Sequence, residues 1–395
     1  MAAKPPHTRE HLKRLFRSLT DPRRFGKGNF KHKLPDMLHL VCAARLGGCH
    51  TRKEIIAYGE AHLDELRSEF GILENGIPSE PTLHRMEKAI DSEEFSRLYS
   101  EFACALAQEC RPSGADNPMV FAVDGKAMRG TTQSNGRSPD IVSLYDTDSG
   151  IVLDMELCQE KSNEIKATPK TLRRTALPEG AVVTGDAMNC QKDIIDLIRE
   201  NGRDYFIALK ANQKEVRWSV EDELPKMTPD EEYHSGVECD HGRIHERHCR
   251  VFRDLGRISG IGKFRDVSAV VEVETQTTRK STGVKSTQTR YYITSHTGNA
   301  KQQDYISRRH WAIENNLHWE LDTLQQQDAT KRKDTRTARN TDIIQKVVHA
   351  ILSYTSCRRL PTEIASSKEK MKTRIKSLAT MAKNNTKFAF SLMAI

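Results

Sequence analysis

Two aspartates sit in matching contexts. Asp124 directly follows the apolar run Met119–Val123, in Val-Asp-Gly-Lys, and Asp186 follows Ala181–Thr184 by one glycine, in Thr-Gly-Asp-Ala-Met. Short apolar runs of this kind predict buried strands. The carboxyl ends of adjacent strands line one crevice, so the two carboxylates are expected to converge there. Gly125 and Gly185 let the backbone approach a ligand closely. Two carboxylates a few ångströms apart raise each other's pKa. A divalent cation removes that cost, and hard oxygen ligands suit Mg²⁺ or Mn²⁺. The plainer alternative is that each aspartate is a turn or helix-cap residue after a strand.

A third carboxylate is expected from the segment around Tyr305–Leu324. It predicts one long helix, from near Asp304, with Ile313, Leu317, Leu321 and Leu324 as its core stripe. At about 100° per residue, Glu314 falls at the edge of that stripe and Glu320 points well away from it. A carboxylate on the flank of a buried face is held rigidly yet can reach a metal. Asp322 and Asp328 are rival third carboxylates. His310 and His318, one turn either side of Glu314, are candidates for phosphate contact, or else satisfied, half-exposed histidines. Lys126, Arg129, Lys210, Arg308 and Arg309 are further phosphate-contact candidates; surface salt bridges are their other reading.

The elements that must position these groups differ along the chain. Residues 1–110 predict a small all-helical domain with a helix-turn-helix outline. Leu34–Leu46 stops at Gly47-Gly48, and Thr51 with Glu54 forms a capping box for the next helix, whose stripe is Ile56, Leu63, Leu66 and Phe70. A third helix is expected over Thr82–Ile90. Residues 111–118, rich in Pro, Gly and Asn, read as a linker. From 119 to 355 the pattern is α/β: strands at 119–123, 141–145 and 151–155, a helix at 163–174, a strand at 181–184, a helix at 191–200 and a strand at 205–209. Residues 216–295 read as a β-rich insertion before the glutamate helix. Residues 356–395 read as a basic, peripheral C-terminal tail.

Composition narrows the partners. The chain has 395 residues with 62 Lys and Arg against 54 Asp and Glu, a net charge of +8. The excess gathers at the ends, in Lys4–Lys33 and from Lys331 to Arg339 and beyond, while the centre holds the carboxylates. That layout suits a polyanion. Nine scattered cysteines argue for a reducing compartment. Cys239, His241, His245, His248 and Cys249 crowd together but alternate with charged residues, unlike a closed zinc site. No stretch approaches a membrane span, and the first residues lack the apolar core of a signal peptide. A cytoplasmic protein is expected. Glycine motifs for nucleotides are absent.

The longer motifs carry a resemblance. Val-Asp-Gly-Lys-Ala-Met-Arg-Gly, Thr-Gly-Asp-Ala-Met-Asn-Cys-Gln and His-Trp-Ala-Ile-Glu-Asn-Asn-Leu-His-Trp-Glu-Leu-Asp are similar to the three catalytic blocks of DDE-type insertion-sequence transposases. With Lys-Ser-Asn-Glu-Ile at 161–165, and Asp-Pro-Arg-Arg and Asn-Gly-Ile-Pro-Ser near the N-terminus, the chain resembles the H-repeat-associated (ISAs-type) subgroup. The resemblance runs from about Asp21 to Leu352. It implies a ribonuclease H-like mixed sheet flanked by helices, interrupted by the β-rich insertion and preceded by an associated helical domain. It implies Asp124, Asp186 and Glu314 as catalytic and metal-binding residues, two Mg²⁺ or Mn²⁺ ions, double-stranded DNA as substrate and target, and a homodimer on DNA. Related transposases set a Tyr, an Arg and a Lys around the glutamate; here His310 and Leu321 stand at the last two positions. Two other readings stay open: a relative that binds DNA without cutting it, and a nuclease of this fold without strand transfer.

Overall fold

The computed structural model describes residues 8–23, 31–111, 117–132, 136–158, 164–240, 242–329, 331–358 and 368–394. Most of the predicted linker, residues 112–116, lies outside them, as do Lys4 and part of the N-terminal basic run.

The first described segment is helical: α1 (Thr8–Ser18), α2 (Leu34–Leu46), α3 (Arg52–Ala61), α4 (Leu63–Phe70), α5 (Glu80–Ala89) and α6 (Ser92–Cys110). The capping box forms as predicted, with Thr51 accepting from the Glu54 amide and Glu54 reaching back to the Thr51 amide. The predicted second helix is broken at His62, which ends α3 and opens α4. Asp91 caps α6 by accepting from the Glu93 and Glu94 amides.

Among the described residues, ten strands form one sheet: β1 (Val120–Ala127), β2 (Asp140–Asp146), β3 (Ile151–Leu157), β4 (Val182–Gly185), β5 (Asp204–Leu209), β6 (Glu231–His234), β7 (Glu238–Asp240), β8 (Arg243–Phe252), β9 (Ala269–Arg279) and β10 (Lys285–Thr294). Their order is β3-β2-β1-β4-β5-β10-β9-β8-β6, with β7 beside β8. β1 runs antiparallel to β2 and parallel to β4, and β4 is parallel to β5. This is the ribonuclease H-like arrangement: an antiparallel meander continued by two parallel strands. Between the strands lie α7 (Glu164–Arg174), α8 (Lys192–Glu200) and α9 (Lys214–Glu223). After them come α10 (Ala300–His310), α11 (Trp319–Leu324), α12 (Thr335–Arg358), α13 (Lys368–Asn384) and α14 (Thr386–Ala394).

Three features differ from the sequence reading. The β-rich segment opens with a helix, α9, and its strands extend the central sheet, because β10 pairs antiparallel with β5. The expected single helix near Glu314 is α10 and α11 joined by a π-helical turn, Ile313–His318. A π turn holds an extra residue, which rotates everything after it by about 100° relative to an uninterrupted α-helix. Glu320 therefore faces inward, 1% exposed, with Oε2 2.7 Å from Nε2 of His349 on α12. Residues 356–395 are also more than a tail. α14 buries Ala389, Phe390, Leu392 and Met393, and Phe390 meets Phe70 edge-on at 5.3 Å. The lysines set the composition there, while the core contacts come from the interleaved apolar residues.

The sheet is covered on both faces. On one side a continuous core runs from Leu12 to Met393, joining α1, α2, α6 and α12 to β1–β3. Tyr99 on α6 donates to the carbonyl of Val152 on β3 at 2.7 Å, satisfying its buried hydroxyl. On the other side Val120, Val182, Phe206 and Val271 pack with Ile306 of α10.

Candidate metal centre

The parallel pairing of β1 with β4 sets Val123 beside Gly185. The next residue on each strand is Asp124 and Asp186, so register alone brings the two carboxylates to one crevice. Asp186 caps a 3₁₀ turn, Ala187–Asn189. Its Oδ1 accepts from the Met188 amide at 2.9 Å, the Asn189 amide at 3.4 Å and Asn189 Nδ2 at 3.1 Å. These bonds fix the side chain and leave Oδ2 for another partner. Glu314 arrives on the π turn, which packs against β1.

Electrostatics registers the convergence. Burial pushes the Asp124 carboxyl up to about 8, with the negative charges of Glu314 and Asp186 adding to it. Glu314 is also raised, first by burial and further by Asp186, against the opposing charges of Arg290 and Lys210. Glu164, at the start of α7, is raised by burial and by Asp186 and Asp140. The structure thus gathers the three predicted carboxylates and adds Glu164, which sequence reasoning noted in a motif and gave no role.

The predicted cations divide. Lys210 lies exposed beside Glu314. Arg290 was missed; Tyr291 pairs with Leu209, so one step along that register sets Arg290 opposite Lys210. Its guanidinium lies 4.3 Å from the ring of Trp311. Lys126 is bound to Asp322 and to Gln327 Oε1 at 2.6 Å, with Asp328 at 3.9 Å. Both rival third carboxylates are thereby paired with that lysine. The Arg129 side chain is exposed, while its amide donates to Asp328. Arg308 pairs with Glu238 at 2.6 Å, and Arg309 with Asp148 and Thr147. His310 is 6% exposed with Nδ1 3.2 Å from Thr184 Oγ1, which ties α10 to β4 and removes the ring from solvent. His318 does face the site, with Nδ1 3.8 Å from Asp124 Oδ2. Burial and the charges of Lys126 and Lys346 push it down to about 3, so the ring is neutral. Its Nε2 is buried with no hydrogen-bond partner.

The donor set fits a hard divalent cation. It offers several carboxylates, of which Asp124, Glu314 and Glu164 are raised by burial and by neighbouring negative charge, a free oxygen on a rigidly capped aspartate, and glycines beside both aspartates. At Gly185 a Cβ would come within 2.9 Å of the Asn189 side chain that braces Asp186. The Cys/His group stands elsewhere on the sheet. Cys249 is buried, Cys239 exposed, His245 bonded to Thr277, and His241 outside the described residues. There, Glu232, His234 and His248 bring ligand atoms within 4.8 Å of one another, with the two imidazoles stacked.

Comparison with known proteins follows the same outline. Residues 116–349 match a family described as "Transposase DDE domain", and residues 13–103 one described as "DDE_Tnp_1-associated". The chain is 31% identical over 340 residues to "Putative transposase YncI" of Escherichia coli O157:H7, spanning 82% of this chain and 83% of that one. It is 31% identical over 319 residues to "H repeat-associated putative transposase YhhI" of Escherichia coli (strain K12), spanning 76% and 80%. A cryo-EM structure of a piggyBac transposase synaptic complex with hairpin DNA aligns with TM-score 0.45 and 10% identity, over 95% of this chain and 81% of that one.

Proposed function

Since the chain belongs to the DDE-domain transposase family, we propose that it is a metal-dependent polynucleotidyl transferase that nicks DNA at the ends of a mobile element and joins the freed 3′ ends to target DNA. The observation that supports this reading is that Asp124, Asp186 and Glu314, from β1, the end of β4 and the π turn, face one crevice, where burial and the charges of Glu314 and Asp186 raise the Asp124 carboxyl. These three carboxylates would hold two Mg²⁺ or Mn²⁺ ions. When bound, such ions supply Lewis acidity towards the attacking and leaving oxygens of a phosphodiester. Lys210, just after β5, and Arg290, on β10, would receive the phosphate backbone beside Glu314. His318 lies beside Asp124, its Nδ1 3.8 Å from Oδ2.

Double-stranded DNA is the partner, bound also by basic surfaces of the helical N-terminal region. Two element ends must be paired, so the working complex is a homodimer on DNA, in the cytoplasm. No helix among the described residues is long and apolar enough to cross a membrane. In this reading residues 1–110 recognise DNA and residues 119–355 cut it.

The test is Mn²⁺-dependent cleavage of DNA carrying the element's ends. Asp124→Asn, Asp186→Asn and Glu314→Gln each abolish cleavage and leave DNA binding within about twofold of the parent chain. Full cleavage by Glu314→Gln alongside a dead Asp322→Asn would reassign the third carboxylate. DNA binding weakens steeply with salt, as neutralised phosphates demand; a flat response would remove DNA as the partner. Cutting without joining would mark a nuclease, and binding without cutting a relative that has lost its chemistry.

A further inference from the structure

Gly125 lies inside β1, paired with Val142 of β2, and its φ is not in the left-handed region. Any residue could adopt that backbone. Space is what restricts the position. A Cβ on residue 125 would overlap Oε1 and Cδ of Glu164 and stand 2.9 Å from Oε2. The Glu164 carboxylate is therefore pressed against the backbone of the residue next to Asp124.

Glu164 opens α7. A carboxylate in the first turn gains about 0.3–1 kcal/mol from the helix dipole. An outward rotamer collects that gain equally well, so the dipole does not explain why this side chain turns onto Gly125. Turned inward it meets negative charge. Asp186 and Asp140 act on it, and it acts on Asp124. Among the described residues no cationic side chain pairs with it and no hydrogen bond holds it. A half-buried carboxylate facing others across a glycine is relieved either by a proton or by a cation between them, and its hard oxygens suit a divalent ion.

We propose that Glu164 is a fourth carboxylate of the cation site, reaching from α7 across Gly125 to share a divalent ion with Asp124 and Asp186. This rests on reading Asp124, Asp186 and Glu314 as a Mg²⁺ or Mn²⁺ site. Glu164 brings a hard oxygen donor from an element that the other three do not use. It also accounts for the glycine after Asp124, which backbone geometry leaves unexplained.

The experiment measures Mn²⁺ binding to the full chain directly, by the electron paramagnetic resonance signal of free Mn²⁺, without DNA and independently of cleavage. Glu164→Gln weakens Mn²⁺ binding by about tenfold or more, in the range seen when groups around a metal are removed. Gly125→Ala, which keeps Glu164 but displaces its carboxylate, gives a similar loss. The double variant is no worse than either single one, as expected when both act through one contact. In metal-free buffer Glu164→Gln melts at the parent temperature or higher, because it relieves repulsion; a purely structural glutamate would lower it. Unchanged Mn²⁺ binding in Glu164→Gln and Gly125→Ala, with binding lost in Asp124→Asn, overturns this proposal and leaves the three-carboxylate site standing. Unchanged binding in Asp124→Asn as well overturns the site itself. Should Glu164→Gln fail to fold, Gly125→Ala alone decides.

Discussion

At the scale of single residues, the site is defined by a charge conflict. Asp124 is held near pKa 8, against 3.8 for a free aspartate, by burial and then by Glu314 and Asp186. The folded chain therefore keeps a proton that the unfolded chain releases. Between about pH 4 and pH 8 the metal-free protein loses stability as pH rises, and below that window the group contributes nothing. Asp124→Asn is expected to melt above the parent chain in chelator at pH 8, with the gap closing towards pH 4; thermal melts across that range check it. The same proton must leave when a cation binds. Mn²⁺ affinity should thus rise about tenfold per pH unit up to about pH 8 and then level, measured by titration at pH 6, 7 and 8. Asp124 and Asp186 were legible in the sequence because their signals are local: an apolar run, then a carboxylate, with a glycine alongside. Arg290 and Glu164 were not. Each becomes relevant only through a neighbour distant in sequence, Lys210 across β5–β10 and Gly125 across α7–β1, and no local pattern encodes that.

At the scale of elements, the π turn is decisive. Glu314 and Glu320 are six residues apart, and in a regular α-helix the two would point in different directions from those observed. The extra residue lets Glu314 face the crevice while Glu320 reaches His349 in the interior. Deleting the exposed Asn315 restores regular winding and should abolish Mn²⁺-dependent cleavage, although every carboxylate remains. Glu320→Ala leaves His349 Nε2 buried without its partner, at a cost of about 1–3 kcal/mol, readable in urea denaturation. Glu320→Gln, which keeps a hydrogen bond, should lose distinctly less. Helical periodicity located this helix but not its register, because the interruption is set by what α12 offers to Glu320. The strands of the ribonuclease H-like core were readable for the opposite reason. Each is a short apolar run between turn residues. Arg308 and Arg309 show the limit again: both spend their charge on distant acidic residues, Glu238 and Asp148.

At the scale of the whole molecule, the helical N-terminal segment and the sheet share one core. α6 lies on β3 and against α12, and Asn340 of α12 donates to the carbonyls of Glu87 and Ile90. Calorimetry is therefore expected to show the helical segment and the sheet melting in a single transition, whereas a loosely tethered reading head would give two. Phe390→Ala should lower the temperature of that one transition, by removing about 3–5 kcal/mol of packing. The position of α14 has a further consequence. It rests on α1 and α2, so α1 meets one of its partners only once α14, far along the chain, has been made. A chain lacking α14, with all its acidic residues intact, would leave the faces of α1 and α2 that α14 covers exposed, and would be compromised by misfolding before its chemistry was in question.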